Sequence, residues 1–96
     1  MIEITEEQRS TLELAVEIYG KENQIDKCIE EMAELTKALL KYRHSPSMLS
    51  SAHVHEELAD VRIMVEQMYM IFGEDAMGNN IDYKIKRLAQ RLHKEV

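Results

Sequence analysis

The sequence predicts an all-α fold, a four-helix bundle completed by oligomerisation. Three observations predict it. Apolar residues recur every three to four positions through two long segments, "QIDKCIEEMAELTKALL" and "HVHEELADVRIMVEQMYMIF". The 96 residues include only one proline and three glycines, a helical composition poor in turns. The interruptions are short and few, so neighbouring helices are expected to run antiparallel.

Helix 1 is expected to start at Thr5. "TEEQ" places Thr5 and Gln8 at capping-box spacing, with Glu6 and Glu7 in the first turn. Leu12, Ala15, Val16 and Tyr19 then share one face, and Gly20 is the stop. Helix 2 is expected from Lys21 or Glu22 to Tyr42, with Ile25, Ile29, Met32, Leu35 and Leu39 as its apolar repeat. "RHSPSMLSS" breaks the pattern, and Ser50 or Ser51 is the expected cap of helix 3. Helix 3 is expected to end at Phe72. Val54, Leu58, Val61, Val65, Met68 and Phe72 step along it as a bundle seam, with Met64, Met68 and Ile71 as a second apolar stripe beside it. "GEDAMGNN" is the next expected break. Helix 4 then covers about Asn80 to Lys94, with Ile81, Ile85, Leu88 and Leu92 on one face.

The length fits one domain, residues 1–96. A domain this short leaves much apolar surface uncovered when alone, which favours oligomers. The net charge of −6 argues against nucleic acid, because phosphate-backbone binding requires a surplus of Lys and Arg. It does not argue against a phosphorylated small molecule held through metal. Cys28 is the only cysteine, so neither a disulfide framework nor a zinc motif fits within one chain. With no signal-peptide pattern in "MIEITEEQRS" and no membrane-length apolar run, the expected location is the cytoplasm.

Carboxylates interrupt the apolar runs. Residues three apart on a helix lie on one face. Glu31 and Glu34 therefore point the same way on helix 2, as do Glu57 and Asp60 on helix 3. Both pairs border an apolar stripe: Glu57 and Asp60 lead into Met64, and Glu31 sits one turn before Leu35. Burying unpaired charge costs several kcal/mol, and few basic residues lie on the same faces. Hard divalent cations take oxygen ligands, so the spacing suggests Mg²⁺ between helices 2 and 3. A solvated acidic face is the competing reading of either pair alone. A ferritin-like di-iron site is disfavoured, because no Glu is followed three residues later by His.

Glu30-Glu31-x-x-Glu34 followed by Glu57-x-x-Asp60 resembles the EExxE…ExxD signature of MazG-like nucleoside triphosphate pyrophosphohydrolases. "YGKENQIDKCIEEMAEL" is similar to that family's lead-in, "EELADVRIMVEQM" to its third helix, and "YKIKRLAQRL" to a basic helix near the end. The resemblance spans about residues 19–92. It implies an all-α, Mg²⁺-dependent enzyme (Mn²⁺ as a substitute) that cleaves nucleoside triphosphates between the α- and β-phosphates. It implies Glu31, Glu34, Glu57 and Asp60 as metal ligands. Glu30 would stand just outside the ligands or act as a weak general base, so Glu30 and Glu31 are the candidate catalytic residues. Related phosphoribosyl-ATP pyrophosphohydrolases fit less well, since their double-Glu segment usually reads GEEAxE. Subunits of a homodimer or homotetramer would share the bundle.

Three further residues are candidates for substrate binding. Lys84 and Arg87 lie on one polar stripe of helix 4, where Arg87 suits a bidentate grip on phosphate. Gln24 is a candidate contact to the base. The competing function is a non-catalytic helical interaction module, whose acids are solvated or bind one structural ion.

Overall fold

The computed structural model describes residues 2–95. Four helices follow one another: α1 (Glu6–Tyr19), α2 (Lys21–His44), α3 (Met48–Phe72) and α4 (Glu74–Glu95), and the described residues contain no strand. The all-α class is therefore as expected.

Helix ends follow from local chemistry. Thr5 caps α1 as expected, with the Gln8 N–H donating to Thr5 Oγ1 at 3.1 Å and the Thr5 N–H donating to Gln8 Oε1 at 2.9 Å. Gly20, at φ 91°, separates α1 from α2 with a conformation that other residues rarely adopt. Two expected starts are corrected. Helix α3 begins at Met48, capped by Ser47 rather than by Ser50 or Ser51. The reason is a reciprocal pair: the Ser50 N–H donates to Ser47 Oγ and the Ser47 N–H to Ser50 Oγ, both at 3.0 Å. Helix α4 begins at Glu74, six residues before the expected Asn80. Only Gly73, at φ 106°, breaks the chain there. Glu74 and Asp75 occupy the first turn, where the helix dipole favours anions. Asn80 lies inside the helix and donates to the Ala76 carbonyl at 2.8 Å.

The core is the antiparallel pair α2–α3. Gln24 meets Gln67, and Glu31, farther along α2, meets Asp60, farther back on α3. Helix α1 packs against both, whereas α4 packs only on α3. Arg9 ties α1 to the start of α4 through Glu74, and also pairs with Glu13 at 3.3 Å.

The packed stripes differ from the expected ones. On α2 the buried residues are Gln24, Cys28 and Ala38, with Glu31 and Leu35 half-buried between them. This is a 4-3-4-3 seam that includes an acid. The row read from apolar spacing is only partly covered: Ile29, Met32 and Leu39 are exposed. On α3, Met64 and Gln67 are buried, and the stripe through Glu57, Met64 and Ile71 faces α2. Leu58 and Phe72, expected on the main seam, are exposed. Apolar periodicity finds the greasiest row on a helix, and polar residues in the packed row hide it from that reading.

Candidate metal centre

Helix α2 supplies Glu31 and helix α3 supplies Glu57 and Asp60. Each offers a carboxylate oxygen, and these atoms all lie within 4.8 Å of one another. The register explains the meeting. Gln24 faces Gln67, so seven residues onward on α2 and seven back on α3 bring Glu31 opposite Asp60. Glu57 lies one turn before Asp60 on the same face. The Glu31 side chain is 15% exposed and that of Glu57 14%. Asp60 is exposed and forms the open rim.

Two basic side chains brace this group from outside. Lys27 Nζ lies 3.3 Å from Glu31 Oε1. His53 Nε2 lies 3.3 Å from Glu57 Oε1. The Lys27 ammonium is held above its ordinary pKa, chiefly by its hydrogen bond to Glu31 and then by the charges of Glu31 and Glu30. The sequence reading missed Lys27. Its position one turn before Glu31 was the available signal. The charge of Asp60 also acts on Lys27, more weakly.

The remaining candidates are placed as follows. Glu30 is exposed and takes part only through its field on Lys27. Glu34 lies outside the three-acid group; it is exposed and lines a shallow depression with Lys37, Ala38, Lys41 and His53. Glu56 is exposed, as its rotation away from Glu57 requires. Gln24 sits in the seam, where its amide nitrogen donates to Gln67 Oε1 at 2.6 Å, so this donor is engaged inside the protein. Gln67 was not singled out from sequence, although it lies seven residues beyond Asp60 on the same stripe. Lys84 and Arg87 are exposed on α4, a helix that does not pack on α2. One chain therefore does not bring them to the acids.

The donor set suits a hard cation. An octahedral Mg²⁺ with ligands at about 2.0–2.1 Å has neighbouring oxygens about 2.9 Å apart and opposite ones about 4.2 Å apart. Oxygens that already lie within 4.8 Å need only small side-chain rotations to reach that spacing. No thiolate competes: Cys28 is buried in the seam, and its burial pushes the thiol pKa up.

No protein-family model matches the chain, and neither a curated protein nor a solved structure matches it. The family resemblance thus rests on the motif residues themselves. No helix among the described residues is long and apolar enough to cross a membrane.

Proposed function

We propose that the chain is a Mg²⁺-dependent nucleotide pyrophosphohydrolase that converts a nucleoside or deoxynucleoside triphosphate to the monophosphate and pyrophosphate. The observation that carries this reading is the convergence of Glu31, Glu57 and Asp60 across the α2–α3 seam. An acidic helix face in solvent has no need to place two of its carboxylates in a packed stripe. A Mg²⁺ ion held by these three carboxylates would keep places for water and phosphate oxygens. When bound, such an ion neutralises the polyphosphate and stabilises charge on the reacting phosphoryl group.

The chain's own residues divide the work. Glu31, Glu57 and Asp60 would hold the ion, with Glu34 as the fourth ligand that the motif implies. Lys27 and His53 steady the carboxylates of Glu31 and Glu57 through their 3.3 Å contacts. Glu30 stands at the edge as a weak general base. Lys84 and Arg87 can grip the β- and γ-phosphates only from another copy, in a homodimer or homotetramer.

The second reading, a non-catalytic interaction module, is favoured by the apolar surface left uncovered on α4. One experiment separates the two. The protein is incubated with the eight common ribo- and deoxyribonucleoside triphosphates plus Mg²⁺ or Mn²⁺, and pyrophosphate and monophosphate are measured. Release of both, abolished by chelation and by Glu57→Gln, supports the enzyme. No release from any nucleotide with either metal favours the interaction module.

A further inference from the structure

We infer that Lys37 and Lys41 form a subsite for the terminal phosphates of a polyphosphate chain, and so set the direction in which the nucleotide lies. As a substrate subsite this rests on the enzymatic reading; as a polyphosphate-binding site it can be tested without it.

Position comes first. Lys37 precedes Ala38 in the packed row of α2, as Glu34 precedes Leu35 and Lys27 precedes Cys28. These three residues therefore share one side of α2. On α3, His53 lies seven residues before Asp60, two turns away on the same side. The register that sets Gln24 against Gln67 also sets Ala38 against His53 and Lys41 against Ser50. The surface agrees. A depression of about 460 Å³ is lined in part by Glu34, Lys37, Lys41 and His53. A neighbouring one of about 310 Å³ is lined in part by Lys41, His53, Ser47 and Ser50. Lys41 and His53 line both, and His53 also contacts Glu57 of the acid group at 3.3 Å. One lane thus runs from the carboxylates to the α2–α3 turn.

The charge changes sign along that lane. Glu30, Glu31 and Glu34 are followed on α2 by Lys37 and Lys41, with no further acid before the turn. By helix rise, Lys37 stands about 4.5 Å beyond Glu34 and Lys41 about 10.5 Å beyond it. Side chains on a helix lean toward its N-terminus, so both lysines lean back toward the acids. Both are exposed. Glu34 has the spacing to pair with Lys37, yet among the described residues neither lysine takes part in an ion pair. Lys27, at the other end of the acid group, is by contrast held by Glu31 at 3.3 Å. The hydroxyls of Ser47 and Ser50 are engaged with each other and with the backbone of the turn. The ammonium groups of Lys37 and Lys41 are therefore free donors in the lane.

An ammonium is a compact charge with three donors on a flexible stem, well suited to phosphate oxygens. Solvated lysines are ordinary on any helix. Two that stand one turn apart, in line with an acid group suited to a cation, match a polyanion whose other end is held through that cation. The enzymatic reading puts the α–β linkage at the acids, so the β- and γ-phosphates reach toward Lys37 and Lys41. The nucleoside then lies toward the Lys27 end. This grip comes from the same chain, unlike any that Lys84 and Arg87 could offer.

The test uses the full-length chain and inorganic tripolyphosphate, with binding measured by isothermal titration calorimetry in excess Mg²⁺ at fixed ionic strength. Lys37→Gln with Lys41→Gln should weaken binding about 10-fold or more, through loss of two charge-assisted contacts. Each single substitution should weaken it about threefold and serves if the pair does not fold. Lys37→Arg with Lys41→Arg should stay within about threefold of wild type, because charge and donors remain. Lys21→Gln with Lys94→Gln removes the same charge outside the lane and should stay within about twofold, since distant exposed charges are screened. In the nucleotide assay, the glutamine pair should raise KM for the best triphosphate about 10-fold and change kcat less. A wild type that binds no tripolyphosphate overturns the subsite, even if nucleotides are hydrolysed. A glutamine pair that binds it as tightly as wild type does so equally. If no nucleotide is hydrolysed but tripolyphosphate binding depends on the two lysines, the polyphosphate site stands and the enzymatic reading alone fails.

Discussion

Replacing Glu57 by glutamine should make the metal-free protein more stable and abolish its response to Mg²⁺. The substitution is nearly isosteric and removes one negative charge from a group whose oxygens lie within 4.8 Å of one another. Two like charges at that distance repel by about 0.9 kcal/mol at the dielectric of water and about 3.5 kcal/mol at an effective value of 20. Asp60 is exposed, so the lower end applies, at about 1 kcal/mol per pair. Glu57 takes part in two such pairs, so its neutralisation relieves about 2 kcal/mol. Loss of the His53 contact, a partly exposed pair at 3.3 Å, takes back up to about 1 kcal/mol. The net gain of about 1 kcal/mol corresponds to a rise in Tm of about 4–8 °C for a domain of this size. In the wild type, Mg²⁺ at 100 times its Kd should add about 2.7 kcal/mol, and in Glu57→Gln this linkage should vanish. The assay is thermal unfolding in chelator and across a millimolar Mg²⁺ series, with Glu56→Gln as the control. Glu56 points to solvent, so its replacement should leave both Tm and the Mg²⁺ response within error. A Glu57→Gln protein that melts at or below wild type in chelator and still gains stability from Mg²⁺ would refute the reasoning. So would a Glu56→Gln protein that behaves like Glu57→Gln.

Two further predictions concern the seam. Gln24→Leu leaves the carbonyl of buried Gln67 without its partner and should cost about 1–3 kcal/mol, whereas Gln24→Leu with Gln67→Leu should recover most of that loss. Urea midpoints decide this, and additive losses in the double variant would show that the two amides are not coupled. Burial raises the Cys28 pKa, so the native thiol should resist alkylation near neutral pH and react only as the chain unfolds. Below the ordinary thiol pKa both states keep the proton and the group adds no pH dependence. As pH rises past about 8.5 the unfolded chain ionises first, so stability falls until the folded thiol also ionises. Subtracting the stability–pH curve of Cys28→Ala should isolate that fall, and identical curves for the two proteins would overturn it.

The helices were legible because each has a local cause. The Thr5–Gln8 box and Gly20 act within four residues of where they stand, and the sequence shows them directly. The two misplaced starts are local as well, but they involve choices between equivalent signals. Three serines compete to cap α3, and the winner is the one that can exchange hydrogen bonds with another serine three residues on. For α4, a glycine and two asparagines looked like a break. A helix tolerates Gly78 for a cost of about 1 kcal/mol, and Gly73 had already provided the turn.

Which face of each helix is packed was less legible, and the reason bears on the site. Burial in α2 follows Gln24, Cys28, Glu31, Leu35 and Ala38, a regular seam whose members are mostly polar or small. Small and polar residues let two helices approach closely. The larger Ile29, Met32 and Leu39 then lie one step round, on a side that the chain itself does not cover. A reading based on hydrophobicity assigns those large residues to the core and the acids to its border. The acid-pair reading, based on spacing alone, placed Glu31 and Glu57 correctly on the inner face while Glu30 and Glu56 point outward. It grouped Glu34 with them, whereas Glu34 is exposed and lies outside the three-acid group, because the partner opposite it one turn along α2 depends on the α2–α3 register. The i,i+3 rule fixes which side chains share a face, but only the register between helices fixes which of them meet. Here the Gln24–Gln67 contact reports that register from within the seam. A shift of α3 by one turn along α2 would bring different residues opposite Glu31 and dissolve the group. The buried amide pair and the three-acid centre are thus two consequences of one helix alignment.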